Sequence, residues 1–284
     1  MTLLHEELAR MGLPAAGTEI LREKDGVTVA RVRDGGASYI CKCFDRAEFR
    51  REIANYRLLA TLGVPTIRVH AATERALLLE DLEASPVWRL ATEGDLRDEA
   101  TVRALARWYR ALHAAGRGWV ALHGAELYDE SDLFSRETLA RLRALPGAAG
   151  LPVWETLEAR FDEVRRLLDA LPRTLAYNDF DWSNMAVARD GSAALMFDYN
   201  LLGKGTVWAD LCNATWPLTG PLRAAFLSEY GPHDPREEIV QRVVSPVVTL
   251  RFAAEKAVFP SWGREALALL REDVPRALKE LFPQ

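Results

Sequence analysis

At 284 residues, 49% hydrophobic and 27% charged, the chain has the composition of an ordinary folded protein with room for one large domain or two moderate ones. A formal net charge of -5 and the lack of any Lys or Arg run leave no electrostatic footprint for nucleic acid or an anionic membrane, and nothing implies a protein partner. No apolar run approaches the roughly 18 residues of a membrane span, Glu6 and Glu7 break the start of any signal peptide, and three cysteines without zinc spacing argue against a disulfide framework. The expected compartment is the cytoplasm.

In chain order, residues 2–12 read as a short helix, followed by strands at 18–22, 27–33 and 38–44 joined by turns at Asp25-Gly26 and Asp34-Gly35-Gly36. Period two in the third strand puts Ile40, Lys42 and Phe44 on one face and Tyr39, Cys41 and Cys43 on the other. A lysine between apolar neighbours fits either an edge strand, where it snorkels into water, or a specific partner. The next helix opens with Asp45 and Glu48 as a capping-box-like pair and runs to Gly63, with Pro65 beyond. Its apolar stripe of Phe49, Ile53, Tyr56, Leu59 and Ala60 contains Glu52. An unpaired buried carboxylate is expensive, so a Lys42–Glu52 ion pair accounts for both misplaced charges.

Strands at 67–71 and 76–80 complete an expected N-terminal lobe, residues 1–82, of five strands and one helix. The pattern breaks between Asp81 and Pro86, marking a hinge, and residues 83–284 are expected to be mostly helical. A helix from about 98 to 115 should end at Gly116, with His113 in a structural role. Residues 119–152 carry no clear period, and Asp129, Glu130 and Asp132 there read as a solvated loop in preference to a pocket for a cation. Helical spacing resumes over 153–171, and three further helices are expected after residue 214, separated near Pro221, Gly231-Pro232 and Gly263.

The most informative stretch is 177–200. A strand at 174–176 leads into Tyr177-Asn178-Asp179-Phe180-Asp181-Trp182-Ser183-Asn184, and strands at 185–188 and 193–197 form a hairpin around Arg189-Asp190-Gly191-Ser192. A two-residue loop register sets Asn184 opposite Phe197, and a three-residue one sets it opposite Asp198. Either way Asn184 and Asp198 share the open end of the hairpin, where an amide oxygen and a carboxylate can hold Mg²⁺. Asp179 is placed to accept a proton from an incoming hydroxyl. The role of Asp181 stays open between a second metal, a substrate ammonium and solvent, and Asp210 is expected to brace the loop through backbone hydrogen bonds.

With Lys42, Glu52, Gly63-Val64-Pro65, Leu79-Glu80-Asp81-Leu82, Leu112-His113, Asp179 to Asn184, Asp198 and Asp210-Leu211 in place, residues 15–260 or so resemble the aminoglycoside phosphotransferase and choline kinase-like family. The resemblance implies an α+β fold of bilobal, protein-kinase-like type, with a small antiparallel-sheet lobe and a larger, mostly helical one. It implies Asp179 as catalytic base, Asn184 and Asp198 as Mg²⁺ ligands, Lys42 with Glu52 on the phosphates of ATP or GTP, and Glu80, Asp81 and Leu82 beside the purine. The acceptor would be a hydroxyl of a small molecule, with aminoglycoside-like, choline-like and amino-acid alcohols as options. Two departures stand out: Tyr177-Asn178 replaces the His-Gly that usually precedes the catalytic Asp, and the first hairpin lacks a full glycine-rich loop. They motivate an alternative, a catalytically idle nucleotide-binding module. A protein kinase is disfavoured, because only residues 199–205 separate Asp198 from the next helix.

Overall fold

The computed structural model describes residues 2–283. Its first half runs through α1 (Leu3–Arg10), β1 (Thr18–Lys24), β2 (Val27–Asp34), β3 (Ala37–Phe44), α2 (Arg51–Leu62), β4 (Val69–Ala72), β5 (Ala76–Glu80), β6 (Trp88–Leu90), α3 (Glu99–His123) and α4 (Arg136–Arg143). Then follow α5 (Val153–Asp169), β7 (Thr174–Ala176), β8 (Met185–Ala188), β9 (Ala194–Met196), β10 (Gly203–Gly205), α6 (Val207–Thr215), α7 (Gly220–Tyr230), α8 (Pro235–Ala253) and α9 (Ser261–Leu281). The chain divides into two compact units. One takes the residues up to Gly116 with 179–202 and 214–231, and the other takes 117–178, 203–213 and the residues from Pro232 onward.

In the first unit an antiparallel sheet has the strand order β1-β2-β3-β5-β4. Its first two turns are two-residue connections, with Lys24 opposite Val27 and Asp34 opposite Ala37. Asp25 and Gly26 have φ of 55° and 81°, and Gly35 and Gly36 have 55° and 86°. Positive φ at both central residues matches the twist of the flanking strands, which is why Asp-Gly and Gly-Gly stand there. The predicted alternation in β3 divides the packing: Cys41 and Cys43 join Ala30, Val32, Leu4 and Leu8 in a core under α1, while Lys42 turns to α2. A second sheet of the same unit, β6-β8-β9, holds the expected hairpin and adds β6, which the sequence did not announce.

α2 ends at Gly63, whose φ of 70° is the left-handed stop the sequence predicted. The expected capping box at its start does not form. Asp45 instead accepts from Arg75 Nη2 at 3.1 Å, a 3-10 turn covers Ala47–Phe49, and α2 begins at Arg51. α3 runs seven residues past Gly116, to His123. Gly116 and Gly118 each cost the helix only about 1 kcal/mol, and the buried apolar face of α3, with Val102, Leu105, Tyr109 and Leu112, outweighs that.

In the second unit β7 and β10 form a two-stranded antiparallel ribbon, Gly203 opposite Ala176 and Gly205 opposite Thr174. Helices α4, α5, α8 and α9 enclose the apolar core, with Trp154, Leu157, Val164, Val243, Val247 and Leu270 in its centre. Two expected breaks lie inside helices. Pro221 occupies the first turn of α7, where a missing N–H costs nothing. Gly263 lies within α9 because a Cβ there would come within 2.6 Å of Ala253 Cβ, so it marks close packing and not a helix end.

Candidate active site

β3 and α2 present Lys42 and Glu52 to each other with Lys42 Nζ 2.7 Å from Glu52 Oε2, and the same ammonium lies 2.8 Å from Asp198 Oδ1. Glu52 is 1% exposed and Asp198 30%. Burial pushes the Glu52 carboxyl up to about 7, against the pull of Lys42. Burial also works against the Lys42 ammonium, but the charges of Glu52 and Asp198 outweigh it and hold its pKa above the ordinary lysine value. The two directions agree physically: one ammonium faces two carboxylates, so the trio carries excess negative charge and the more buried acid is the easier to protonate.

Asp198 reaches Lys42 from the hairpin. Met185 pairs with Met196, and the Phe197 N–H donates to the Asn184 carbonyl at 2.8 Å. The register that sets Asn184 opposite Phe197 is therefore the one adopted, and Asp198 is the next residue beyond. Its φ of 62° turns the chain sharply there; left-handed backbone is costly for most side chains, but aspartate tolerates it. The turn is held from both sides. The buried Tyr199 hydroxyl donates to the Met196 carbonyl, and Asn55 Nδ2 of α2 donates to the Tyr199 carbonyl at 2.7 Å. Asn55 was not singled out from the sequence, because bonds to backbone carbonyls leave no residue pattern.

The approach to Asp179 is fixed by Asp210. This carboxylate is 1% exposed and accepts from the backbone N–H groups of Tyr177 at 2.6 Å and Asn178 at 2.8 Å. The expected bracing role of Asp210 is what the structure shows. Asn178 has a φ of 65°, a conformation glycine adopts freely and asparagine tolerates better than almost any other side chain. The departure from the family's usual glycine thus keeps the backbone turn. Gly205 in β10 completes the support, since a Cβ there would lie 2.8 Å from Ala176 Cβ. Asp179 itself is half-buried, as is Asn184.

The other sequence-predicted residues have different surroundings. Asp81 is buried and accepts from Ser38 Oγ at 2.6 Å, Arg31 Nε at 2.8 Å and the Glu83 N–H at 3.1 Å. Burial alone would raise its pKa, but the Ser38 and Arg31 hydrogen bonds win and hold it below the usual carboxylate value. Its side chain therefore ties β2 and β3 to the segment after β5. Glu80 accepts from Ser85 Oγ at 2.5 Å, and the buried Leu82 offers a carbonyl 3.4 Å from Arg189 Nη2. Asp181 caps the turn Trp182–Asn184 by accepting from the Ser183 N–H at 2.8 Å and Oγ at 2.7 Å. His113 is buried with Nδ1 2.8 Å from the Tyr230 hydroxyl, in the structural role expected of it. Asp129 departs from the expected solvated loop: it is buried and bonded to Ser131. Tyr199 and Trp208 are buried, whereas Trp182 and Trp216 are exposed.

Asn184 and Asp198 offer an amide oxygen and carboxylate oxygens, the hard donors magnesium takes. Two protein donors are enough where substrate phosphates and water supply the rest. The unbalanced negative charge beside Lys42 favours a cation at the same place. Among the described residues no group of three or more His, Cys, Asp or Glu side chains forms a separate metal cluster.

The fold is shared with known proteins. The chain is similar over 99% of its length, and 99% of the other chain, to a choline/ethanolamine kinase family protein from Mesorhizobium loti, with 15% identity and a TM-score of 0.67. It matches choline kinase LicA from Streptococcus pneumoniae over 97% of both chains at 13% identity and a TM-score of 0.65. It matches macrolide 2'-phosphotransferase MphH from Brachybacterium faecium over 95% of this chain and 97% of that one, at 19% identity and a TM-score of 0.62. These likenesses establish the fold as α+β and protein-kinase-like. No curated protein gives a significant sequence match. The model of the phosphotransferase enzyme family matches residues 20–239, and the chain belongs to that family.

Proposed function

We propose that the protein transfers the γ-phosphoryl group of ATP or GTP to a hydroxyl of a small molecule, with Mg²⁺ as the required cation. The observation that carries this reading is the Lys42 ammonium held between Glu52 and Asp198, one residue past the point where Asn184 closes the hairpin. Glu52 fixes the lysine, whose charge faces the phosphate oxygens, and Asn184 and Asp198 are the residues that would hold the metal. Bound Mg²⁺ would neutralise charge that develops on those oxygens. Asp179 accepts the proton of the attacking hydroxyl as its oxygen bonds to the γ-phosphorus and the bond to the nucleoside diphosphate breaks.

Residues 1–82 are read as the nucleotide-binding lobe and 83–284 as the lobe with the catalytic loop, metal site and acceptor pocket. Because Ser38 and Arg31 fill the Asp81 carboxylate, Glu80 to Leu82 would meet a purine through their backbone. Structural neighbours support a nucleotide co-substrate: LicA has been solved with AMP, a spectinomycin phosphotransferase with ADP and its antibiotic, and an aminoglycoside 2'-phosphotransferase with GDP. A hydroxylated acceptor, cationic or neutral, is the partner, and nucleic acid, membrane and protein partners are not part of the reading. A cytoplasmic location is part of the same proposal. The test is nucleoside diphosphate release against pooled aminoglycosides, choline-like amines, amino-acid alcohols and sugars, with Mg²⁺ and with chelator. Turnover of one pool that vanishes with chelator supports the proposal, and silence across all pools with nucleotide bound contradicts it.

A further inference from the structure

The second unit contains a cavity of about 430 Å³ that the proposed reaction does not use. One wall is apolar, with Val120 and Gly124 from the end of α3 and the turn after it, and the other carries Arg165, Arg173, Lys204 and Asp129. Arg165 is satisfied by Asp169 at 2.7 Å, the Ser131 carbonyl at 2.9 Å and Asp132 at 3.5 Å. The other two cations are held more loosely, with Arg173 Nη2 3.4 Å from the Leu168 carbonyl and 4.0 Å from Asp169 Oδ1. Arg173 Nη1 and Lys204 Nζ face the two oxygens of the same carboxylate, Asp129, at 3.7 and 3.9 Å, beyond hydrogen-bonding distance. Asp129 Oδ1 is already engaged by the Ser131 N–H and hydroxyl. Arg173 Nη1 is buried and makes no hydrogen bond, an arrangement that is costly for a charged group.

The wall is built to stay as it is. Lys204 N–H donates to the Tyr128 carbonyl at 2.8 Å, and a Cβ on Gly203 would overlap that oxygen, so β10 is pressed against the segment that carries Asp129. A Cβ on Gly124 would come within 2.8 Å of Val120 Cγ1 and 3.7 Å of Lys204 Cδ, so the turn after α3 lies close to the Lys204 stem. Asp132 and Asp169 are exposed and pair with Arg165 at the rim, so inside it Arg173 and Lys204 share one buried carboxylate, Asp129. Two cations on one carboxylate leave a positive charge for an anion, and an arginine beside a lysine suits phosphate oxygens.

We propose that this cavity is a second ligand site, which takes the phosphate group of a small phosphate monoester between Arg173 and Lys204 and its carbon body against the α3 wall. Arg173 precedes β7 and Lys204 lies in its partner strand, so the ligand would grip the ribbon that leads in sequence to Asn178 and Asp179. Phenyl phosphate serves as the probe, titrated calorimetrically into the intact protein with the phosphate-facing lysine of the nucleotide site replaced by Lys42→Met. Saturable binding that persists in Lys42→Met and weakens at least about tenfold on adding Lys204→Gln, while the unliganded melting temperature is held, is the expected result. Arg173→Gln should weaken binding likewise, and phenol should not bind. No saturation in Lys42→Met, or the same affinity with and without Lys204→Gln, overturns the site, whichever way the test of phosphotransfer turns out.

Discussion

Lys42 has one positive charge and two carboxylates within 2.8 Å, and that imbalance sets what replacing it would do. A buried acid stripped of its partner normally costs about 3–5 kcal/mol. Glu52, already pushed up to about 7, can take a proton instead. Lys42→Met should therefore lower stability by only about 1–3 kcal/mol near neutral pH, measured by urea unfolding, while phosphotransfer is lost. Asn178 supplies a second case. Its φ of 65° costs most side chains about 1 kcal/mol or more, so Asn178→Gly should leave the melting temperature nearly unchanged and Asn178→Ala should lower it. Equal melts for the two variants would dismiss backbone conformation as the reason for asparagine there. Lys42 and Glu52 were legible in the sequence because each is a charge on an apolar face, and their pairing was the simplest resolution. The partners of the Asp81 carboxylate were not legible, because a family position reveals neither Arg31 nor Ser38.

Among the elements, the β7–β10 ribbon leads to the catalytic loop, and Asp210 of α6 fixes the two residues that follow β7. Asp210→Ala would leave two backbone N–H groups without their acceptor and should cost about 2–4 kcal/mol, with kcat reduced well before nucleotide affinity. A fall in affinity alone would place Asp210 elsewhere in the mechanism. The segment between β6 and α3 offers a pH test. Hydrogen bonds from Arg89 hold the Asp95 carboxyl down at about 2, with further help from Thr92. A carboxyl depressed in the folded state stabilises above its ordinary pKa and loses that contribution as pH falls through the folded value. The wild-type advantage over Asp95→Asn in urea unfolding should thus be complete above about pH 4 and close toward pH 2; a gap that survives there would exclude the ion pair as its source. α5 was readable because one buried face leaves a period, and the β8–β9 hairpin because two short apolar runs flank Asp190-Gly191. β10 was not, since Gly203-Lys204-Gly205 has no apolar alternation and was selected for close approach to Tyr128 and Ala176. The capping box failed for a similar reason: Arg75, distant in sequence, claims Asp45.

For the molecule as a whole, Lys42, Glu52, Asp179, Asn184 and Asp198 all fall in one compact unit, although 156 residues separate Lys42 from Asp198. The sheet meander β1-β2-β3 follows from its turns. The insertion of β5 between β3 and β4 does not, because a hairpin can add to an edge by either strand. The two compact units interleave along the chain, so their limits have no signature in local composition. The central claim is that these five side chains carry out phosphoryl transfer. Nucleoside diphosphate release from an accepted hydroxyl substrate, compared in wild type and Asp179→Ala at equal nucleotide occupancy, tests it most directly. The account predicts a loss of about 10²–10⁴-fold in turnover with nucleotide affinity retained, and turnover undiminished in Asp179→Ala would contradict it.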